Sequence, residues 1–474
     1  MLQTLKNAWR TKDIRNKILF TLFILLLYRI GTVVPVPFVD ANNFESQFQG
    51  TILDYLNILS GGSLGTATLF ALGVSPYINA SIVIQLLSVV FPKLGELAKN
   101  DKKKMSFITR IVTVVLALVT AIGYYFLLSQ SGMLAPIATK GDNSLFWLYA
   151  IVIVACYCAG ASLIMWLADR VNERGLGNGI SVILFANIVC ALPSQMIQLF
   201  NLIKNTFEYE NPLWYAIGAI AFAIAIIAII IAFTVFVIFV TGSERRIPVQ
   251  YAKRVVGRKM YGGQNSNLPI KLNMTGVMPV IFASSIVSLV PTILALCGVT
   301  SDISGSFWEK FSWVMGSEGP VYPIALFVLI IGFAYFYTQI TFDPVDVANN
   351  LKRQGGAIPG IRQGRPTSDY IRKILNKITL AGALFLSVIA VVPVLANPLM
   401  QEALKAILSG AIGDAWSATD KASALESIAT SAKSLASVFS FGGTSLIIVV
   451  GVALETFRDL EAQLTMRSYK GFLD

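Results

Sequence analysis

Between Leu213 and Thr241 the chain carries no charged side chain, and residues 224–240 read IAIIAIIIAFTVFVIFV. A helix apolar on every face belongs in a large core or in lipid, and about 20 such residues cross the hydrocarbon of a bilayer. The rest of the chain decides between these. Of its 474 residues 55% are hydrophobic and only 13% charged, with a mean hydropathy of +0.68, well outside the range of soluble globular domains. A transmembrane barrel would alternate polarity in strands of about ten residues, and that pattern is missing. The expected class is an all-α membrane protein.

Apolar segments fall near 18–38, 57–70 with 74–91, 107–129, 145–168, 179–200, 213–241, 275–297, 321–342, 378–395 and 437–456. Counting the interrupted second pair once gives ten spans. Basic residues mark cytoplasmic loops. With the N-terminus inside, 30 of the 37 Lys and Arg fall on that side, so both termini are expected in the cytoplasm. The same rule explains the net charge of +11 without invoking nucleic acid. Residues 1–17 read as an amphipathic helix on the cytoplasmic face, 18–200 and 213–456 as two halves joined by an outer hinge loop at 201–212, and 457–474 as a cytoplasmic tail. Five spans per half is an odd number, so the second half must run inverted relative to the first.

Several chemistries are disfavoured. Histidine is absent, and Cys156, Cys158, Cys190 and Cys297 all lie in or at the end of apolar runs, which argues against zinc, a Cys/His nucleophile or a disulfide framework. No cofactor, metal or catalytic residue is expected. A coupled transporter carries ionisable groups within its spans, whereas here Arg29 is the clear case. The glycine-rich stretch GGAIPGIRQG (355–364) lacks the lysine and hydroxyl of a phosphate cradle. An inverted-repeat solute or lipid transporter is the alternative reading.

The interrupted segment, ILSGGSLGTATLFALGVSPYINASIVIQ (58–85), contains Gly61, Gly62, Gly65, Gly73 and then Pro76. Unpaired backbone facing lipid costs several kcal/mol per group, so a half-segment too short to span must be buried in protein or line a cavity. Residues 57–70 are expected to fold back into the membrane, with Pro76 in the first turn of the next helix.

At these residues a resemblance emerges. SGGSLGTATLFALGVSPYINASIVIQLL (60–87), RIGTVVPVP (29–37), ERGLGNGIS (173–181), the stretch from RRIPVQYAKRVVGRKMYGG to MPVIFASSI (245–286), NNLKRQGGAIPGIRQGRPTSDYI (349–371) and FGGTSLIIVVG (441–451) are similar to motifs of the SecY family, the protein-conducting channel of the general secretion pathway. The likeness runs from about residue 5 to 468. It implies ten helices in two inverted halves around a central pore, a re-entrant plug half-helix, and passage of unfolded polypeptides across a bacterial plasma membrane.

The residues matching the family's aliphatic pore ring are Val74, Ile78, Leu184, Ile281 and Ile448, with Val74 and Leu184 in place of the commoner isoleucine. Such a ring offers no fixed hydrogen-bond partners, so it can close around any extended chain and disfavour a water file when empty. By the same resemblance the plug includes Ser60, Gly61, Gly62, Ser63, Leu64, Gly65 and Thr66. These small residues suggest modest apolar burial and easy displacement. Asn79, Ser81 and Gln85 on helix 2, with Ser284 and Ser285 on helix 7, match a lateral gate through which signal sequences and transmembrane segments leave into lipid. The basic loops 242–274 and 343–377 imply docking of a ribosome or a SecA-like ATPase motor through Arg258, Lys259 and Arg362. Other implied partners are SecE-like and SecG-like small membrane subunits, signal peptides, nascent chains and membrane lipids. The loop at 396–434 is longer than the family leads one to expect and reads as one or two amphipathic helices.

Overall fold

The computed structural model describes residues 2–40, 52–135, 146–206, 212–251, 254–256, 259–261, 265–296, 307–316, 319–409 and 443–466. A helix occupies each of the ten apolar segments. In chain order these are α2 (Lys12–Gly31), α4 (Ser75–Val90), α6 (Lys102–Gln130), α7 (Phe146–Arg174), α8 (Gly179–Thr206), α9 (Pro212–Gly242), α10 (Met278–Leu296), α12 (Val321–Thr341), α14 (Arg365–Ser409) and α15 (443–466). Shorter helices are α1 (Leu2–Arg10), α3 (Ile52–Leu59), α5 (Pro92–Asn100), α11 (Phe307–Met315) and α13 (Pro344–Arg353).

Local chemistry sets the boundaries. Pro76 sits in the first turn of α4, where its missing N–H would be unpaired in any case. Pro92 opens α5, which is bent by 117° from α4. At 1.5 Å per residue, the 16 residues of α4 rise roughly 24 Å, less than the ~30 Å of hydrocarbon. The helix is short because the chain reaches it from within the fold, through the interrupted segment. Asp101 caps α6, accepting from the Lys104 N–H at 3.2 Å. That bond, followed by the Lys104 ammonium at 3.3 Å, holds its carboxylate below the usual range. Asp343 caps α13 through the Val345 N–H at 2.8 Å.

In the first half α6 packs on α4 and α7, and α2 on α7; in the second α12 packs on α10 and α14. The halves meet where α10 contacts α4 and α6. They also meet at the end bearing the basic loops, where the Lys17 ammonium donates to Gln463 Oε1 at 2.9 Å and the Gly177 N–H to Asp459 Oδ2 at 3.2 Å.

Strands appear within the two basic loops, which are read from the sequence without secondary structure. β1 (Glu244–Tyr251) pairs antiparallel with β4 (Asn265–Lys271) from Glu244↔Lys271 to Gln250↔Asn265, and with β5 (Gly356–Ala357) on its other edge. Between them β2 (Arg254–Val256) and β3 (Lys259–Tyr261) form a hairpin. The two basic loops thus share one sheet. Ile247, Val249 and Ile270 pack with Leu351, Ile358 and Ile374 in a small core of their own. Partial burial, followed by the nearby Arg458 charge, pushes the Lys271 ammonium below its ordinary range. Several boundaries differ from those read in the sequence, three of them by enough to matter here. The first span begins at Lys12, the helical part of the re-entrant segment lies at 52–59, and α14 runs unbroken to Ser409, so the start of the 396–434 loop is a helical extension. The remainder of that loop lies outside the described residues.

Candidate functional site

Val74 from the cap of α4, Ile78 from α4, Leu184 from α8, Ile281 from α10 and Ile448 from α15 lie in a single buried apolar cluster, each 5% exposed or less. They come from both halves. Ile78, Leu184, Ile281 and Ile448 also form one wall of a cavity of about 660 Å³ that extends between α4, α6 and α10. Val74 instead faces a small recess with Tyr77, Ile164 and Ile180. Leu59 and Phe70, from the two ends of the interrupted segment, pack on the same cluster.

Residues 60–74 continue from α3 as a chain of turns. Gly61 (φ +71°) and Gly73 (φ +56°) hold left-handed backbone that ends any helix. Nearly every small residue here has a polar task. Asn57 Oδ1 accepts from the Gly65 N–H at 2.8 Å, Ser60 Oγ accepts from the Leu64 N–H at 3.1 Å, and Ser63 Oγ donates to the Ser60 carbonyl at 3.0 Å. Thr66 Oγ donates to the Gly62 carbonyl.

Side chains on the surrounding helices complete the accounting. Asn187 Nδ2 on α8 donates to the Leu59 carbonyl at 2.7 Å and to the Tyr28 hydroxyl oxygen at 2.9 Å. Arg29 Nη1 donates to the Gly61 carbonyl at 3.1 Å. Tyr124 and Tyr157 hydroxyls donate to the Leu64 and Ala67 carbonyls, and the Leu69 N–H reaches the Val34 carbonyl at 2.9 Å. The one ionisable residue noted inside a span therefore has a structural partner. Close approach is shaped by glycine as well: a Cβ at Gly160 would lie 1.9 Å from the Leu69 carbonyl oxygen.

The polar residues expected at the seam divide into two groups. Asn79, Ser284 and Ser285 line the cavity, together with Ser288 and Thr292. Ser284 Oγ donates to the Ile281 carbonyl at 3.0 Å. Ser81 and Gln85 do not line the cavity: Gln85 Nε2 donates to Ser81 Oγ at 3.2 Å, while Gln85 Oε1 accepts from the Tyr337 hydroxyl of α12. Of the expected docking residues, Arg362 is exposed on the turn before α14, its carbonyl accepting from Thr367 Oγ at 2.7 Å. Lys259 lies on β3, and Arg258 falls outside the described residues. Sequence reasoning missed Tyr28, Tyr124, Tyr157, Asn187 and Tyr337. The available signal was a polar group placed mid-span, which needs a partner in lipid.

Ten apolar helices, a re-entrant segment bonded into one half, an aliphatic cluster shared by both and a basic platform at one end define a multi-pass membrane protein of the channel class. The SecY family profile matches residues 68–413. Over the whole length of both chains the protein is 38% identical to the protein translocase subunit SecY of Streptomyces galbus and 39% identical to that of Mycobacterium tuberculosis. The chain belongs to the SecY family. Its fold is similar to a solved protein-conducting channel (TM-score 0.59, 16% identity, 94% of this chain and 92% of the other) and to Sec61 in a canine ribosome–channel complex (TM-score 0.56, 14% identity, the same coverage).

Proposed function

We propose that this chain is the channel-forming subunit of a bacterial protein translocase, a passive pore for unfolded polypeptides with a lateral exit for transmembrane segments. The observation that carries this reading is the convergence of Val74, Ile78, Leu184, Ile281 and Ile448 from both halves directly beside the interrupted segment. As a ring, these side chains exclude water by apolar contact and impose no sequence requirement on what passes. Residues 57–70 act as the plug. Asn79, Ser284 and Ser285 belong to the exit between α4 and α10.

The basic-loop end faces the cytoplasm, where Lys and Arg accumulate, and both termini lie there. The shared sheet gives Arg362 a rigid base from which to meet a ribosome or a SecA-like motor, since a guanidinium suits RNA phosphate and acidic protein surfaces alike. SecE-like and SecG-like subunits are expected to cover apolar outer faces. Energy for movement comes from the ribosome or the motor, since the spans themselves provide Arg29, whose guanidinium is engaged by Gly61.

A stalled secretory chain tests the reading directly. In a chain whose own cysteines are replaced by serine, Ile281→Cys is expected to form a covalent adduct with a cysteine in the stalled substrate, while Val235→Cys on the exposed face of α9 forms none. Equal yields at both positions would remove the pore. Arg362→Glu is expected to slow export in reconstituted vesicles while leaving membrane insertion of the channel intact, and a normal export rate would remove the docking role.

A further inference from the structure

Three rings of one short helix gather at the end of the molecule away from the basic loops. Phe307 and Trp308 of α11 are 73% and 57% exposed. Phe307 stacks on half-buried Phe311 and Trp308 meets it edge-on, with centroids 6.4 and 6.3 Å apart. Apolar side chains of this size, exposed together, mark a contact surface. The other end of the helix is seated: Val314 and Met315 are half-buried, and the Gly319 N–H closes a turn on the Gly316 carbonyl at 3.0 Å just before α12 begins at Val321. α11 packs on both α10 and α12. We propose that α11 is a membrane anchor, its aromatic tip seated in the headgroup boundary of the leaflet on that side.

Two other exposed tryptophans give the level of that boundary. α7 carries Trp147 at its start and Trp166 near its end, 69% and 50% exposed. From 147 to 166 the helix rises roughly 28 Å, close to the ~30 Å of hydrocarbon, and tryptophan favours both edges of that layer. Trp166 also has the Arg170 guanidinium over its ring at 5.4 Å, a pairing suited to the basic-loop side. Trp147, tilted against Phe146 at 4.7 Å, therefore marks the opposite edge. The second half reaches the same edge through α12. Its Ile324 and Val328, one turn apart, are 65% and 60% exposed, a stripe that faces lipid. Ile324 lies three residues into α12, so hydrocarbon begins within about 5 Å of the turn that joins α11 to it. Lys310, exposed one turn from Phe307, has a stem long enough to bring its ammonium to phosphate. Each half thus holds its own grip on the leaflet, Phe146 and Trp147 for the first and α11 for the second. Relative motion of the halves is then favoured within the membrane plane over sliding along its normal.

The test uses the full-length chain with its partner subunits in vesicles, its native cysteines replaced by serine. One nitroxide at a time is attached through Trp147→Cys, Trp308→Cys, Lys310→Cys or Ile324→Cys. Collision with oxygen, which concentrates in lipid, is compared with collision with a water-soluble nickel chelate. The labels at 147 and 308 are expected at the same depth to within one helical turn, about 5 Å, with oxygen favoured at both, the label at 310 nearer water and that at 324 deeper. In a chain that also carries Phe307→Ser and Trp308→Ser, the label at 324 is expected to shift toward water by about 1.5 Å or more, one residue's rise. Collision dominated by nickel at 308 would overturn the proposal, and shielding from both reagents would replace lipid by a protein partner. A label at 324 that keeps its depth in the serine variant would show contact without anchorage and overturn the anchor. None of these outcomes depends on what passes through the channel.

Discussion

On the proposed reading, the plug and the seam are two closures of one channel, built by different chemistry. The plug carries little apolar bulk, yet its turns are bonded by Arg29, Tyr124, Tyr157 and Asn187, all from α2, α6, α7 and α8. Toward the second half, Leu59 and Phe70 make only apolar contact with the shared cluster, which includes Ile281 and Ile448. The seam is the reverse, with a large apolar cavity, hydroxyls bonded within their own helices, and the Tyr337–Gln85 contact across it. The difference assigns each closure a carrier. Hydrogen bonds are directional and short-ranged, so on this reading the plug is expected to move with the first half, whereas apolar surfaces can slide or part without leaving orphaned donors. A rocking motion of the halves can open the seam and strip the plug of its apolar cover while its polar anchors remain made. Displacing the plug outright is a separate and harder step than its small residues suggest.

The sharpest way to break this contrast is Asn187→Leu. It removes the donors to the Leu59 carbonyl and the Tyr28 hydroxyl oxygen, and a stranded buried group costs about 1–3 kcal/mol. With two partners affected, about 2–6 kcal/mol of plug anchoring is expected to vanish, read as ion leakage through resting vesicles. Tight vesicles would show that the anchors do not hold the plug. Gly61→Ala comes next. Its backbone is left-handed, which costs a substituted residue about 1–2 kcal/mol, and its new Cβ would fall 2.8 Å from Asn187 Oδ1 and 3.0 Å from Arg29 Nη1. It is expected to leak somewhat less than Asn187→Leu, by the same assay.

Much of this architecture was legible because lipid imposes a coarse rule. Long uncharged runs located all ten helices, basic loops located one end, and the cluster Gly61, Gly62, Gly65, Gly73 and Pro76 marked where a span was interrupted. The anchors were not legible. Tyr124 reaches a carbonyl 60 residues away and Asn187 one 128 residues away, and no periodicity reports which backbone groups a turn will leave unpaired. β1 and β4 stayed hidden because Arg245, Arg246 and Lys271 put exposed charges within them, so the runs read as loop. The resemblance groups Gln85 with Ser284 as parts of one lateral gate, which says nothing of the hydrogen bonds either makes. The partner of Gln85 became visible only once Phe282 had fixed the ring of Tyr337.

The ring gives the next largest effect and sharpens the comparison from the side of the seam. Ile448 is 1% exposed among aliphatic neighbours, and an unpaired amide there costs about 2 kcal/mol. Ile448→Asn is therefore expected to weaken the closed cluster and relax discrimination against defective signal sequences, measured as export of a precursor lacking a functional one. Because the plug's polar anchors lie in the other half, resting leakage is expected to rise less than in Asn187→Leu. Leakage that exceeds it would reassign the main seal from the plug to the ring.

Gly62→Ala supplies the smallest effect and isolates what makes its neighbour special. Gly62 has φ +87°, but a Cβ there meets nothing within 4 Å. Only the backbone term applies, so about 1 kcal/mol of strain is expected. Gly61→Ala adds to a similar strain the displacement of Asn187 and Arg29. The difference between adjacent alanines thus measures the anchors with backbone conformation nearly cancelled. If both variants leak alike, left-handed geometry alone controls the plug, and Asn187 and Arg29 contribute nothing that the turn does not already impose. A larger leak at Gly61 assigns closure to the side chains of the first half.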